Sequence, residues 1–235
     1  MEQTHSRYQL LSGSALKLIA VIAMLIDHIA AFGPLAGEPV FLFSCFGRDF
    51  TLYFFLRAIG RAAFPIYCFL LTEGFLHTHD RKKYALNLLL FALLSEIPWD
   101  LIHYGKCFSL RSQNVYITLL LGYLGLCALE RFKGEWLRLL LHLGVLFFGS
   151  ILFQCDYGYA GYALILMLYL LRDRPAEKAV IGCGLLHCSY LAPIGFLPIL
   201  LYNGKRGFIR SRPLKYAFYA FYPVHLLILF LLFRH

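Results

Sequence analysis

Residues 15–33 read ALKLIAVIAMLIDHIAAFG, an apolar run that contains an adjacent acid and imidazole, Asp27 and His28. An α-helix needs about 20 apolar residues to cross the ~30 Å hydrocarbon core of a bilayer. An ionisable side chain inside such a span costs about 3 kcal/mol to insert, and it usually has a partner and a function. The stretch therefore predicts a membrane helix that carries a candidate site. The alternative interpretation is an Asp and a His that only specify helix packing.

The composition of the whole chain supports a membrane protein. Of its 235 residues 60% are apolar and only 15% are charged, against roughly 25% charged in a soluble domain. The apolar runs are about 20 residues long, unlike the alternating segments of about ten residues in a β-barrel. We therefore expect an all-α, polytopic membrane helix bundle that fills residues 1–235 as a single domain, with about 8–10 transmembrane segments. Spans are predicted at residues 15–33, 51–76, 84–103, 114–130, 136–153, 159–172, 179–202 and 216–233.

Basic residues cluster in alternate loops between these spans. By the positive-inside rule, loops rich in Lys and Arg lie in the cytoplasm. This pattern predicts a multi-pass protein of the inner (cytoplasmic) membrane with a cytoplasmic N-terminus. The clusters are Arg81, Lys82 and Lys83, then Arg131, Lys133 and Arg138, and then Arg172, Arg174 and Lys178.

The basic loop 203–215 does not fit the positive-inside pattern, because a simple count of seven preceding spans would place it outside. The preceding residues 179–202 contain Pro193 and Pro198 among several glycines, and proline removes a backbone donor and disfavours helix at the residue before it. We expect a broken helix here, a pair of half-helices that returns the chain to the cytoplasm and lines a cavity. A plain kinked span followed by a basic outer loop is the alternative.

The net charge of +9 does not indicate nucleic-acid binding, because in a membrane protein the position of Lys and Arg relative to the spans matters more than their number. Basic clusters beside spans contact anionic lipid headgroups or a phosphorylated ligand. The seven cysteines form no CxxC pair and show no metal-ligand spacing with His, so no metal site is predicted.

Helix geometry predicts that several polar side chains meet Asp27 and His28 in the outer half of the membrane. We expect Asp27 to pair with one of two arginines four residues apart, and His28 to take a carboxylate partner from another helix, making it a general base. A buried ion-pair network that holds the helices together is the alternative. The expected members are Arg57, Arg61, Glu96 and Asp100, with Gln113 and Asn114 as donors for an oxyanion or an acceptor.

The last span contains a second candidate, the run Tyr222-Pro223-Val224-His225. Pro223 frees a backbone carbonyl one turn earlier, and His225 lies close enough along the chain to use it. His225 is too deep for an aromatic belt at the membrane surface, so Tyr222 and His225 are predicted to contact substrate. An interface belt is the alternative for the aromatic residues before them.

Five strings in order resemble the TraX family nearly end to end: SGSALKLIAVIAMLIDHI (12–29), LRAIGRAAFPIYCFLLTEGFLHTHDRKKY (56–84), LLSEIPWDL (93–101), QNVYITLLLG (113–122) and YAFYPVHLLIL (219–229). The member that gives this family its name acetylates the N-terminal amine of a conjugative pilin. The chain also resembles, more distantly, the acyltransferase-3 membrane enzymes, which take an acyl group from cytoplasmic acyl-CoA. Those enzymes carry a basic residue and a catalytic His separated by ten residues in the first helix, the spacing of Lys17 and His28.

These resemblances imply an acyltransferase, most simply an acetyltransferase, with acetyl-CoA as donor. Lys17, Arg81, Lys82 and Lys83 would meet its phosphates, although Lys in place of the usual Arg loses bidentate phosphate contact. The acceptor would be a pilin N-terminus, an envelope glycan or a small amine. A transporter or flippase that uses the buried charges as a proton or substrate path is the rival hypothesis, and an inert structural subunit is the third.

Overall fold

The computed structural model describes residues 9–38, 40–186 and 191–233, and in those ranges the chain is helical apart from a two-stranded hairpin. The predicted all-α architecture is confirmed. The helices are α1 (Gly13–Phe32), α2 (Leu52–Arg61), α3 (Ala63–His77), α4 (Arg81–Tyr104), α5 (Val115–Arg131), α6 (Trp136–Leu152), α7 (Gly158–Leu170), α8 (Pro175–Leu185), α9 (Phe196–Leu200) and α10 (Arg212–Phe233), and the strands are β1 (Phe41–Cys45) and β2 (Arg48–Thr51).

Four helical stretches are long and apolar enough to cross a membrane: α1, the nearly continuous α2 and α3 (Leu52–His77), α4 and α10. Helices α6 and α7 are apolar but shorter. The chain is therefore a multi-pass helical membrane protein. Seven of the eight predicted spans coincide with helices, and how many of them cross the bilayer stays a prediction.

Helix starts follow ordinary capping chemistry. A polar side chain before the first turn accepts a hydrogen bond from a backbone N–H group that has no partner within the helix. The capping residues are Ser12 for α1, Thr51 for α2, Asp80 for α4 and Asn114 for α5. The polar residues between the apolar runs thus mark where each helix begins.

Helices α1 and α10 start at the same end of the bundle and run parallel. At their start, Ser14 Oγ donates to the Arg206 carbonyl at 2.8 Å and accepts from the Ile209 N–H at 2.9 Å. At their other end, Gly33 lies beside the Phe233 ring. The basic loop 203–215 therefore lies at the N-terminal end of α1, as the broken-helix interpretation requires.

The break itself lies where the prolines predict it. Helix α8 ends at Leu185 and α9 begins at Phe196, with residues 187–190 outside the described ranges. Lys178 before the break and Tyr202 after it both contact the Phe69 ring, at 5.1 Å in each case. The two ends of the broken segment therefore lie at the same height in the helix bundle. Of the described residues in 179–202, Tyr202 lines the cavity of about 520 Å³ at the start of α1, as expected for this stretch, and the others do not line that cavity. Gly195 instead packs on Ala62 and Pro65, because non-helical backbone at membrane depth needs protein to cover it.

The hairpin β1–β2 was not predicted from the sequence. Its strands pair antiparallel around Phe46 and Gly47, both with positive φ (49° and 72°). The Phe50 ring packs against those of Phe54 and Phe55 at the start of α2. The hairpin thereby connects the end of α1 to α2 and sets the position of the α2 side chains.

Candidate functional site

The centre of the site is an ion pair where α1 and α2 cross. Arg57 Nη1 donates to Asp27 Oδ2 at 2.6 Å, one of the two pairings expected for this carboxylate. The crossing is close because position 60 is glycine: a Cβ there would lie 2.0 Å from the Asp27 Cβ. Asp27 Oδ1 has no hydrogen-bond partner among the described residues, so the carboxylate retains one free acceptor.

His28 bonds to another histidine, not to a carboxylate. Its Nδ1 lies 2.6 Å from His225 Nε2, and the two ring planes are nearly parallel, with an angle of 6° between them and centroids 4.9 Å apart. On its other side, His225 Nδ1 lies 2.8 Å from the Phe221 carbonyl oxygen. The expectation that Glu96 or Asp100 would orient His28 is wrong, because His225 takes that place and the two carboxylates accept from the Asn114 and Ser109 N–H groups.

The direction of these bonds follows from the carbonyl at one end. A carbonyl oxygen only accepts, so His225 Nδ1 carries the proton and donates to Phe221. In a neutral imidazole the other nitrogen is then an acceptor, so His225 Nε2 accepts from His28 Nδ1. His28 Nε2 then carries a lone pair that has no hydrogen-bond donor in the described part of the chain, 3.9 Å from Asp27 Oδ2. We refer to Phe221, His225 and His28 as the histidine chain.

The second arginine of α2 interacts with a loop that sequence reasoning did not select. Arg61 lies 5.8 Å from the centre of the Tyr157 ring and interacts electrostatically with Asp156. Burial raises the pKa of the Asp156 carboxyl above its ordinary value, and Arg61 and Arg57 oppose that shift. Asp156 is the sole acidic residue of the short loop 154–157, and that isolation is the signal that could have identified it.

Glu96, Asp100, Gln113 and Asn114 hold the connection between α4 and α5. Glu96 Oε1 accepts from the Asn114 N–H at 3.3 Å, and Asp100 Oδ2 accepts from the Ser109 N–H at 2.7 Å. These acids therefore form no ion pair with Arg57 or Arg61 in the described ranges, although Glu96 interacts electrostatically with Tyr222, whose ring contacts His28.

The amides of this connection are also committed to the backbone. The Asn114 amide nitrogen donates to the Ala92 carbonyl at 2.9 Å, and its oxygen caps α5. The Gln113 backbone pairs with the loop 154–156, donating to the Gln154 carbonyl and accepting from the Asp156 N–H. Asn114 is fully buried and bonded to the backbone, and Gln113 contributes by holding Asp156 in place.

Pro223 acts differently from expectation. Proline has no N–H group, so the carbonyl four residues earlier loses its helical partner. That carbonyl belongs to Tyr219, and it accepts from the Tyr116 hydroxyl at 2.9 Å. His225 does not use the opening, because it bonds to the Phe221 carbonyl. Tyr222 is buried, and its ring lies between Tyr116 (5.5 Å) and His28 (6.2 Å).

A cavity of about 520 Å³ occupies the end of the bundle where α1 begins. Its wall contains Lys17, as expected, and two cations from the 203–215 region, Arg206 and Lys215. Arg81, Lys82 and Lys83 are not among its lining residues; they begin α4, where the Arg81 guanidinium lies 4.4 Å from the Phe75 ring. Tyr116 lines the cavity and contacts Tyr222, which in turn contacts His28, so two aromatic rings separate the cavity from His28 along this path.

The comparisons with known proteins agree with the resemblance. The family model described as TraX protein matches residues 12–233. A relative from Dichelobacter nodosus, named "Probable fimbrial assembly protein FimC, serogroup H1", is 32% identical over 248 residues, which cover 93% of this chain and 94% of the relative. No solved structure matches. Since the family model covers nearly the whole chain, in which α1 carries Lys17 and His28, this protein belongs to the TraX family.

Proposed function

We propose that this protein is a membrane-embedded acyltransferase that moves an acetyl group from acetyl-CoA to an amine or hydroxyl acceptor. The observation that carries the proposal is the histidine chain, which leaves the Nε2 lone pair of the partly buried His28 without a hydrogen-bond donor among the described residues and able to accept a proton. A general base needs such a lone pair within reach of the proton it removes. The bond from His225 holds the imidazole in that tautomer.

In the proposed reaction the acceptor nitrogen or oxygen forms a bond to the thioester carbonyl carbon while His28 Nε2 takes its proton. The tetrahedral oxyanion then collapses, the C–S bond breaks, and the CoA thiolate leaves with the sulfur electron pair and is protonated by the His28 imidazolium. Arg61 is the best placed donor for the oxyanion, because its Nε has no hydrogen-bond partner among the described residues. Arg57 forms the ion pair with Asp27 and thereby holds α1 against α2 at their crossing.

The acceptor we propose is the amine of a pilin subunit. The proposal rests on the family and on the relative named as a probable fimbrial assembly protein. The polar cluster of Asp27, His28, Arg57, Arg61 and Asp156 lies at the end of the bundle opposite the basic cavity. Donor and acceptor would therefore approach His28 from opposite ends of α1.

The test uses purified protein in nanodiscs, radiolabelled acetyl-CoA and a peptide with the pilin N-terminus. We expect His28→Gln, which places an amide without a basic nitrogen at the position of Nε2, to lower the transfer rate about 10²- to 10⁴-fold. His142→Ala is the matched control, because His142 is exposed on α6 and bonds to its own helix at Arg138. Full activity of His28→Gln would refute the assignment. Proton-coupled substrate uptake without acetyl transfer would favour the transporter or flippase.

A further inference from the structure

We propose that Lys17, Arg206 and Lys215 form a phosphate-binding cluster for the donor at the mouth of the basic cavity. The inference rests on the proposed function and names the part of the donor that this chain recognises. The three side chains come from the start of α1, the loop before α10 and the start of α10, and all three line the same cavity of about 520 Å³. We call them the cationic cluster.

The cationic cluster lacks compensating carboxylates. Lys17 interacts electrostatically with Arg206 and Lys215, and Lys215 also with Arg206 and Lys83. Within the described ranges, no member of the cluster forms a salt bridge. Like charges held together repel each other unless an anion is bound between them. A phosphate or diphosphate group supplies that charge, and Arg and Lys are its usual ligands.

The backbone holds this arrangement in place. The Gly13 and Ser14 N–H groups donate to the carbonyls of Lys205 and Arg206, at 2.8 and 3.0 Å. Gly207 has a φ of 84°, and a Cβ at this position would lie 2.5 Å from Ser12 Oγ. Glycine therefore allows the loop to lie directly on the start of α1. Arg206 is positioned by this contact and not by a carboxylate partner, so its guanidinium remains available to a ligand.

One carboxylate, Glu73, also lines the cavity, but it is drawn to other groups. It interacts with the Tyr202 hydroxyl and with Lys178 on α8. The lining also includes His77 and His79 at the end of α3. The mouth of the cavity is therefore positive overall, which suits a multiply charged anion better than a neutral or cationic ligand.

The remaining wall fits the rest of a CoA donor. Besides the cationic cluster, the lining includes several leucines and tyrosines, and Tyr116 among them contacts the Tyr222 ring beside His28. Lys17 and His28 are eleven residues apart, so about 16 Å of helix separates the phosphate cluster from the proposed base. CoA carries charged phosphates at one end and a long, mostly uncharged arm at the other. Its phosphates match the cationic cluster, and its arm matches the less charged lining that follows.

The experiment measures the affinity of the purified protein in phosphatidylcholine nanodiscs for CoA, pantetheine and inorganic pyrophosphate. We expect Arg206→Ala and Lys215→Ala each to weaken CoA and pyrophosphate binding about tenfold, roughly 1.4 kcal/mol, with little effect on pantetheine. Lys205→Ala is the matched control: it removes an equal charge from the same loop, but Lys205 does not line the cavity. CoA affinity in the wild type should also fall as salt rises.

Each outcome separates the cluster from the catalytic assignment. If Arg206→Ala and Lys215→Ala bind CoA and pyrophosphate like Lys205→Ala, the phosphate cluster is refuted, and loss of transfer in His28→Gln still supports the acyltransferase. If they weaken pyrophosphate binding in a protein that never transfers acetyl groups, the cluster stands and the proposed function fails. A parallel measurement adds phosphatidylglycerol to the nanodiscs. If the variants change phosphatidylglycerol binding alone, the cluster is a lipid headgroup site and the donor proposal is overturned.

Discussion

At the scale of single residues, Gly60 determines the central ion pair. A side chain at this position would occupy the space of the Asp27 side chain, with a Cβ–Cβ distance of 2.0 Å. The atoms that a Cβ at position 60 would meet are Cβ, Cγ and Oδ1 of Asp27. They lie close to the α1 backbone and cannot move aside as the end of a long side chain could. Overpacking of this kind costs about 1–3 kcal/mol.

We therefore expect Gly60→Ala to lower the free energy of unfolding by about 1–3 kcal/mol and to disturb the Asp27–Arg57 pair. The measurement is denaturation in detergent, followed by the helical circular dichroism signal. Gly144→Ala on α6 is the matched control, because a Cβ there meets no atom within 4 Å. Equal stability of the two variants would contradict the close crossing of α1 and α2.

His225 is a positioning residue for His28. In His225→Phe the ring shape is kept, but the acceptor for His28 Nδ1 is lost. We expect kcat for acetyl transfer to fall about 100-fold, because misplacing a catalytic group has this order of effect, while KM for acetyl-CoA stays unchanged. Steady-state kinetics with the pilin peptide measures both constants.

The conservative variant His225→Gln distinguishes positioning from a general structural role. Its side-chain oxygen can accept from His28 Nδ1, so we expect part of the lost kcat to return. An equal loss in the Phe and Gln variants, or a rise in KM with constant kcat, would contradict the role of His225 in the histidine chain.

At the scale of elements, one backbone carbonyl of α10 has no donor within its own helix and accepts a hydrogen bond from α5 instead. The Tyr219 carbonyl has no helical donor because residue 223 is proline, and the Tyr116 hydroxyl of α5 donates to it. This bond attaches α10 to α5 beside the Tyr222 ring. An interhelical hydrogen bond in a membrane protein contributes about 0.6 kcal/mol on average.

A double-mutant cycle tests this connection. We expect Tyr116→Phe to destabilise the wild type by about 0.6 kcal/mol and to cost less in a Pro223→Ala background, since the new N–H group competes for the same carbonyl. Unfolding in detergent measures the four stabilities, and a coupling energy of zero would mean that the two sites are independent.

At the scale of the whole molecule, the bundle has two chemically different ends. The start of α1, the loop 203–211 and the cationic cluster lie at one end. The end of α1 lies beside α4 near its own end, where the Phe32 and His103 rings are 5.0 Å apart. The loop that follows α4 contains the exposed Cys107. The two ends should face opposite sides of the membrane.

Cysteine labelling with a membrane-impermeant maleimide tests this arrangement in intact cells. With all other cysteines replaced by serine, we expect Cys107 to react from outside the cytoplasm, and the variant Lys205→Cys, which lacks Cys107, to react only after the membrane is permeabilised. The expected orientation follows from the basic loops. Reaction of both cysteines from one side would refute the broken-helix topology of residues 179–202.

The helices and the position of the break could be predicted from the sequence because both depend on nearby residues. Runs of apolar residues set where helices form, polar caps set where they begin, and Pro193 and Pro198 lie in the short helical turns that replace a continuous span. The Asp27–Arg57 contact was also predictable, since both residues lie at similar depth on helices that follow each other in the chain.

The site required the tertiary structure. His28 and His225 are separated by 197 residues, and Lys17 meets Arg206 and Lys215 only because α10 lies parallel to α1. Depth along a helix follows from sequence, but the rotation of each helix and the identity of its neighbours do not. For that reason Glu96 and Asp100 were assigned to His28 at the right depth and on the wrong helix. From the sequence alone it follows that α1 carries an imidazole at membrane depth; only the packing of α10 against α1 establishes which of its nitrogens can accept a proton.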